Sequence, residues 1–349
     1  MKKVTNEAIV LIPNFNGEKL LIECLSSVLE QKFSKFGVIL VDDGSKDGSV
    51  ESTRKKFPSV DILALDKNQG FAKAVNKGLR YAFNKYSPKY VALLNNDTIV
   101  DKFWLGSLIG SMSSNENIAA VTSNMLSYDD PNVIDGQGVT YNFVGEGKGI
   151  NVFKRREDVK SPEKKVLGAC FGAALLRTVH LKRIGLLDER FFSYNEDVDW
   201  SLGANLLGYD IIFDEKAIVY HKGSSSWKNR SMEKKYLCMR NSFCLMIKNY
   251  KLKSLIKLSP MLFNHYFRSS LGYFLNRKIQ NGRLVKLSEK KVSFEQRIKH
   301  SILPLRAAFW NIANIWKTLY LRKKIQSKRS LSDRELFKLF DKSYKKYRK

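Results

Sequence analysis

Three short runs of consecutive apolar residues, 8–12, 38–41 and 90–94, constrain the fold of this chain more than any other feature. None alternates with polar residues, so each fits a strand buried on both faces, the pattern of a parallel sheet. Between the first two, Leu20, Leu21, Cys24, Leu25, Val28 and Leu29 recur at helical spacing. Residues 60–65 supply a third strand and residues 70–85 a further helix. This β-α-β-α alternation predicts a doubly wound, mostly parallel sheet with right-handed crossovers. Ligands of such sheets bind beyond the carboxyl ends of the strands. Here those ends carry Asp42-Asp43-Gly44-Ser45 and Asn95-Asn96-Asp97, with Ser45 or Asp47 placed to cap the helix that follows.

Residues 128–165 interrupt the pattern with Gly, Asn, Asp and Lys, and predict a loop or hairpin insertion. Order returns at Gly168–Ala174, small residues that allow close backbone approach. A short helix, the turn Gly185–Asp188, and a helix from Glu196 to about Leu207 follow, with Gly208 as its terminator. Residues 210–220 are strand material ending at His221.

Charge divides the chain sharply. Residues 1–221 hold 28 Lys and Arg against 28 Asp and Glu, whereas the remainder holds 33 against 6, so the whole net charge of +27 lies there. We therefore expect a catalytic domain over residues 1–225 and a basic helical region over 226–349 that faces an anionic partner. In that region Ile302, Leu305, Phe309, Ile312, Trp316 and Leu319 form a helical stripe. Such a stripe suits either a helix packed on its own domain or one lying in a membrane interface, with Trp310, Trp316 and Tyr320 at headgroup depth. Cys24, Cys170, Cys238 and Cys244 have no CxxC spacing and read as reduced thiols of a cytosolic protein. The first apolar run is too short for a signal peptide, and none reaches the roughly eighteen apolar residues of a spanning helix. The expected location is cytoplasmic and peripheral on the inner face of the cell membrane.

Neither GxGxxG nor GxxxxGK[ST] is present, which argues against a Rossmann dehydrogenase and a P-loop NTPase. The acids at strand ends suit a nucleotide sugar instead. Asp42 can accept the imide N–H of a pyrimidine base. Asp97, with Asn95 as a weaker carbonyl ligand, can hold a divalent cation against a diphosphate. Asp197 opens a helix among other carboxylates and suits a general base for an acceptor hydroxyl.

In this order the segments resemble the inverting family 2 glycosyltransferases of the GT-A fold, especially a bacterial rhamnosyltransferase-like branch. The matching segments are Ile12–Gly17, Val41–Ser45, Asn68–Ala72 with Asn76 and Gly78, and Leu94–Thr98. They continue with Gly168–Ala174, Gly185–Asp188, Glu196–Trp200, Gly208-Tyr209, His221 and Arg240-Asn241. The resemblance spans about residues 8–245. It implies that Pro13, Asn14, Asn16, Asp42 and Asp43 hold the nucleoside, and that Asn68, Gly70, Phe71, Asn76 and Asn96 line the donor. Asn95, Asp97 and His221 would surround Mg2+ or Mn2+. Asp197 would be the base, Glu196 would orient acceptor or sugar, and Arg240 and Trp200 would stand at the diphosphate or acceptor. The motif Asn95-Asn96-Asp97 lacks the first acid of the usual Asp-x-Asp, so cation binding should be loose until a donor arrives. No Gln-x-x-Arg-Trp signature of processive synthases occurs, which favours transfer of single sugars.

The resemblance implies a dTDP or UDP sugar as donor, L-rhamnose from dTDP-rhamnose being the first choice and UDP-hexose or UDP-N-acetylhexosamine the alternatives. The acceptor would be a saccharide linked to polyprenyl pyrophosphate, met at an anionic membrane surface during cell-surface polysaccharide synthesis. The sequence leaves a homodimer open. A nucleotidyltransferase would need a Gly- and Lys-rich phosphate loop after the first strand, which Pro13–Gly17 is not. A nucleic-acid-binding protein would need a recognisable module, and none is visible, so nucleic acid is not an expected partner.

Overall fold

The computed structural model describes residues 6–223, 232–280, 283–286 and 293–347. The chain forms two compact units, one of residues 1–142, 147–227 and 330–349, the other of residues 143–146 and 228–329. The boundary expected between residues 225 and 226 lies outside the described residues.

The first unit opens with β1 (Ala8–Asn14), α1 (Glu18–Leu29), β2 (Phe36–Asp42), α2 (Ser49–Lys56), β3 (Asp61–Ala64), α3 (Phe71–Lys85) and β4 (Tyr90–Leu94). These are the predicted elements, shifted at their ends by one or two residues. Then come β5 (Thr98–Val100), α4 (Trp104–Ser113), β6 (Ile118–Ser127), β7 (Ile134–Gly136), β8 (Val139–Tyr141), β9 (Gly147–Gly149) and β10 (Lys165–Val166). The unit continues through β11 (Ala173–Arg177), α5 (Thr178–Ile184), α6 (Glu196–Leu206) and β12 (Asp210–His221). Gly208, at φ +82°, follows α6 as the predicted terminator.

One ten-stranded sheet holds the unit together, in the order β10-β12-β6-β11-β4-β1-β2-β3, with β5 beside β12 and β7 beside β6. Pairing is parallel for β1 with β2 and β4, for β2 with β3, and for β12 with β6. β11 runs antiparallel between β4 and β6, so β1, β2, β3, β4, β6 and β12 all point the same way. Their carboxyl ends therefore share one edge.

The continuous apolar runs exist because both faces of the sheet are covered. Alternate side chains of a strand point to opposite faces. Val10 and Ile12 pack with Leu21, Leu25 and Val28 of α1 and Trp104 of α4. Ile9 and Leu11 pack with Val75 and Leu79 of α3 and Trp200 of α6. Each such Leu, Ile or Val contributes about 1.5–3 kcal/mol when fully buried. Gly78 lets α3 close on the sheet, since a Cβ there would lie 2.6 Å from Leu11 and Val41.

The stretch expected as a loop or hairpin insertion is only partly one. β8 and β9 do pair as a hairpin, but β7 joins the main sheet against β6.

A last helix, residues Asp333–Tyr347, belongs to this first unit. The Ser330 N–H donates to the Leu206 carbonyl at 2.8 Å, and Phe340 meets Tyr141 edge-on at 4.9 Å between centroids.

The second unit is helical, with α7 (Met232–Asn249), α8 (Leu252–Phe274), α9 (Phe294–Ser301), α10 (Leu303–Ala313) and α11 (Ile315–Gln326). Residues 143–146 cross it: the Tyr250 and Tyr266 hydroxyls donate to the carbonyls of Phe143 and Val144, at 3.3 and 3.1 Å. The apolar stripe of α10 and α11 is exposed, Leu305 by 61%, Phe309 by 70%, Ile312 by 65% and Trp316 by 81%. Among the described residues no helix is long and apolar enough to cross a membrane.

Candidate active site

The parallel register aligns Asn14 with Asp42 at the ends of β1 and β2. Asn14 Nδ2 donates to Asp42 Oδ1 at 2.9 Å, and Asn96 Nδ2 donates to Asn14 Oδ1 at 2.6 Å. Asp42 also accepts from the Ser45 hydroxyl at 2.6 Å and the Ser45 N–H at 3.0 Å. A carboxylate has about four acceptor positions, so these three donors leave room for one more, such as a base imide. Asn16, in a left-handed turn at φ +50°, is tied to the same loop by the Ser45 hydroxyl and the Lys46 N–H. Pro13 pairs in register with Val41.

Several residues expected around the donor also hold the protein together. Asp43 is buried and accepts the Gln69 and Gly70 N–H groups at 2.8–3.0 Å, which pins the start of α3. Burial pushes its pKa up, and these hydrogen bonds oppose the push. The Asn68 side chain also accepts the Gly70 N–H, at 3.0 Å. Asn76 is 1% exposed, and its amide clasps the main chain of Leu187, donating at 2.8 Å and accepting at 3.0 Å. Burial without access makes it a tether between α3 and the Gly185–Asp188 turn rather than a donor contact. Phe71 is half-buried and packs into the core.

Asp97 and His221 meet because β5 pairs antiparallel with β12, setting Thr98 opposite His221. His221 Nε2 lies 3.1 Å from Asp97 Oδ1, and both residues are buried. On its other side His221 Nδ1 lies 2.5 Å from Oδ2 of Asp135, on β7. Burial alone would lower the histidine pKa, but hydrogen bonds to Asp135 and Asp97 raise it to about 10.

Asp135 escapes the sequence reading, which treats its surroundings as an insertion. The signal was the apolar pair Val133-Ile134 stopping on Asp135-Gly136, a short copy of the strand-end pattern.

Once the His221 Nε2 proton is displaced, these residues fit a divalent cation. Asp97 Oδ1 and His221 Nε2 face each other, and a carboxylate behind the second ring nitrogen is the usual support of a metal-binding histidine. Asn95 is half-exposed beside Gly172, held by its main chain to the Gly172 carbonyl at 2.9 Å and to the Thr98 hydroxyl at 2.7 Å. Among the described residues no three His, Cys, Asp or Glu side chains form a ready-made metal cage.

The approach to α6 is strained. Phe192, Tyr194 and Asn195 have φ of +63°, +70° and +64°. Such conformations cost on the order of 1–3 kcal/mol each and persist where the surroundings enforce them. One enforcing contact is Gly70, at φ +86°, where a Cβ would lie 2.5 Å from the Phe192 ring.

The turn delivers Glu196 and Asp197 side by side at the start of α6. Asp197 is half-buried and accepts the Val198 N–H at 2.7 Å. Glu196 is buried, and its Oε2 has no hydrogen-bond partner among the described residues. Burial and the neighbouring Asp197 charge push the Glu196 pKa well up. Burial also raises that of Asp197, while N–H groups of Val198 and Phe171 hold it back. The Cys170 thiol is raised to about 12 by burial, with Asp197, Asp135 and Glu196 adding to the effect. Asp135 of β7 and the carboxylates of α6 thus lie near enough to Cys170 to act on its thiol.

Trp200 and Arg240 are both buried. Trp200 is 3% exposed, its indole N–H donates to the Gly185 carbonyl at 3.0 Å, and it packs on Phe171. Its bulk is core, not acceptor surface. Arg240 belongs to the second unit, buried with its guanidinium 4.3 Å above the Trp310 ring.

The carboxyl edge of this α/β sheet thus carries the buried Asp42 and the adjoining Asp97 and His221, an arrangement compatible with a nucleotide-sugar transferase. Residues 9–185 match Glycosyl transferase family 2, and the chain belongs to that family. Its sequence is 25% identical over 213 residues to a poly-beta-1,6-N-acetyl-D-glucosamine synthase of Staphylococcus epidermidis, covering 60% of this chain and 48% of that protein. The Staphylococcus aureus (strain COL) synthase is 26% identical over 212 residues, covering 60% and 48%. The match thus spans about half the length of these relatives, whose names carry N-acetylglucosamine rather than rhamnose.

The fold is GT-A-like. S. aureus TarS 1–349 in complex with UDP superposes with a TM-score of 0.51 at 21% identity, over 98% of this chain and 91% of TarS. GalNAc-T7 with UDP, GalNAc and Mn2+ gives 0.56 at 13%, over 90% and 58%. Mannosyltransferase PcManGT of Pyrobaculum calidifontis, with GDP-Man and Mn2+, gives 0.51 at 14%, over 93% and 86%.

Proposed function

We propose that this chain is an inverting transferase that moves one sugar from a pyrimidine nucleoside diphosphate sugar to a saccharide acceptor, with Asp197 as general base. The observation that carries this reading is the Glu196–Asp197 pair, set at the start of α6, raised by burial, with Asp197 held by the Val198 N–H. An ordinary aspartate is a weak base, and a raised one accepts a hydroxyl proton better at neutral pH. Glu196, protonated over a wider range, has a hydrogen to donate and orients acceptor or sugar. Asp42 keeps one acceptor position for the base imide, with Asn14 and Ser45 locking its carboxylate.

Asp97 and His221 would hold Mg2+ or Mn2+, with Asn95 at the rim. When bound, the cation supplies charge stabilisation for the leaving diphosphate. The ligand names of the structural neighbours, UDP with Mn2+ among them, support a divalent cation.

For the sugar, L-rhamnose from dTDP-rhamnose rests on the resemblance read from sequence. The N-acetylglucosamine relatives favour UDP-N-acetylhexosamine, which we take as the first donor to test. The acceptor would be lipid-linked, and the second unit would lie on an anionic membrane. The exposed stripe of α10 and α11, beside Arg306, Lys317 and Lys323-Lys324, supports that docking.

The test is a donor panel, UDP-GlcNAc, UDP-GalNAc, dTDP-rhamnose and GDP-mannose, assayed for hydrolysis and transfer with Mn2+ and with EDTA. Turnover of a uridine or thymidine donor that EDTA abolishes supports the reading. Preference for the guanosine donor, or full rate in EDTA, removes it.

A further inference from the structure

The second unit contains a cavity of about 610 Å3, walled by α7, α8, α10 and the start of α11. That is the size of an ordinary small-molecule site, about 300–1,000 Å3. What sets it apart is chemistry. No charged side chain lines it. Its polar side chains are Tyr266, Ser270 and Asn311, and each donor on them is given to a main-chain carbonyl. Tyr266 donates to Val144, Ser270 to Ser301, and the two Asn311 N–H groups to Arg240 and Ala307. A ligand carrying phosphate, carboxylate or sugar would lose its hydration there without any donor in return. Asn311 Oδ1 is the one buried acceptor of this lining without a partner among the described residues; the rest is apolar side chains and spent donors, so hydrocarbon fits the space with the least loss.

The mouth points to the source of the hydrocarbon. Phe263, Phe267, Leu305 and Ile312 line the cavity, yet they are 54–72% exposed. They therefore form both its rim and part of the exposed apolar surface. Ile256, Phe263, Phe267 and Phe274 extend that surface along α8, at steps of seven, four and seven residues. Such spacing keeps them on one helix face. Lys253, Lys257, Arg268, Arg306 and Lys317 lie on the same helices, in a region whose charge is overwhelmingly positive. An apolar face among basic residues matches a bilayer with anionic headgroups. A protein partner of this chemistry would have to be both apolar and acidic at one place, whereas a bilayer supplies both everywhere.

We propose that this cavity takes a single hydrocarbon chain of a membrane lipid, drawn from the bilayer on which the second unit lies. The proposal rests on the membrane-docking part of the function proposed above. It gives that docking a grip the flat stripe lacks, because a chain seated between α7, α8 and α10 buries apolar surface against several helices at once. A phospholipid acyl chain and the isoprenoid chain of a lipid-linked acceptor share this chemistry.

The full chain is mixed with vesicles of phosphatidylcholine and phosphatidylglycerol containing either a diazirine-bearing phospholipid or a diazirine-bearing polyprenyl phosphate. After illumination, labelled peptides are located by mass spectrometry. Wild type should carry label on cavity residues of α8 and α10. Ala308→Trp and, independently, Leu262→Trp place an indole in the space, and each should lower cavity labelling by at least about tenfold while sedimentation with vesicles is retained. Melting curves show whether each variant is folded, and one folded variant suffices. The arm with the stronger label identifies the source. Cavity labelling unchanged in a folded filled variant, or label confined to the outer stripe, overturns the proposal. If wild type does not sediment with vesicles at all, the docking reading fails instead. The cavity is then judged by the same lipids in detergent micelles, where labelling sensitive to Ala308→Trp upholds the site and insensitive labelling rejects it.

Discussion

His221 holds a carboxylate on each ring nitrogen, Asp135 Oδ2 at 2.5 Å from Nδ1 and Asp97 Oδ1 at 3.1 Å from Nε2. The Asp135 contact fixes which nitrogen can face a cation. Removing that charge should leave the ring in place but less basic and less well aimed. Asp135→Asn is expected to weaken Mn2+ binding in the presence of UDP by about 10–100-fold. Calorimetric titration of Mn2+ into the UDP-bound protein measures it, and an unchanged affinity would remove Asp135 from the site.

Asp197→Asn keeps the shape of the side chain and loses its basicity. Turnover should fall by about 10²–10⁴-fold, with UDP affinity unchanged. Parallel kinetics and UDP titration separate the two quantities. Wild-type turnover in this variant would falsify the base assignment.

Burial raises the pKa of both carboxyls of the Glu196–Asp197 pair, so the folded protein holds protons that the unfolded chain has released. Stability contributed by such groups is greatest below the unfolded carboxylate pKa of about 4 and declines as pH rises toward the folded value. Glu196→Gln removes the titration and keeps the shape. Its melting temperature relative to wild type should therefore climb between pH 5 and pH 9, two values chosen to bracket the raised range. The same displacement puts the acidic fall of kcat/KM above the ordinary carboxylate range, since the base must be deprotonated to act. A pH profile falling only near pH 4 would contradict it.

Gly70 holds φ +86° with the Phe192 ring where a Cβ would go. Gly70→Ala should cost about 1–3 kcal/mol and loosen the turn that presents Glu196 and Asp197. Chemical denaturation gives the first quantity, and a fall in kcat larger than any change in UDP affinity would reveal the second.

Trp316 is 81% exposed, so Trp316→Ser should change stability by no more than about 0.5 kcal/mol. Together with Phe309→Ser it should release the protein from anionic vesicles in a sedimentation assay. Retention of the double variant on the vesicles would show that another surface makes the contact.

The apolar runs at 8–12, 38–41 and 90–94 made the parallel half of the sheet legible, because a strand covered on both faces must be apolar throughout. The strand-end acids were legible for the same reason, standing out where an apolar run stops. β11 was not, since the run Gly168–Ala174 reads as small residues that overlap only its first two positions, and its place between β4 and β6 depends on partners distant in sequence. Asn76 and Trp200 looked like site residues because they sit in the right motifs. Only their burial, and the Leu187 and Gly185 groups they bind, shows that they hold the site's walls.

The sequence by itself determined the parallel sheet and the polar clusters at strand ends, since these follow from local pattern, and its ordered motifs carried the resemblance to the family. It left the stripe from Ile302 to Leu319 open between core and interface, and solvent exposure decides for an uncovered face. It could not reveal that Asp135 stands behind His221, 86 residues further along the chain. Local pattern records which side chains a strand must bury, whereas the distance between two charges depends on how strands are ordered in the sheet, and only the tertiary structure decides that.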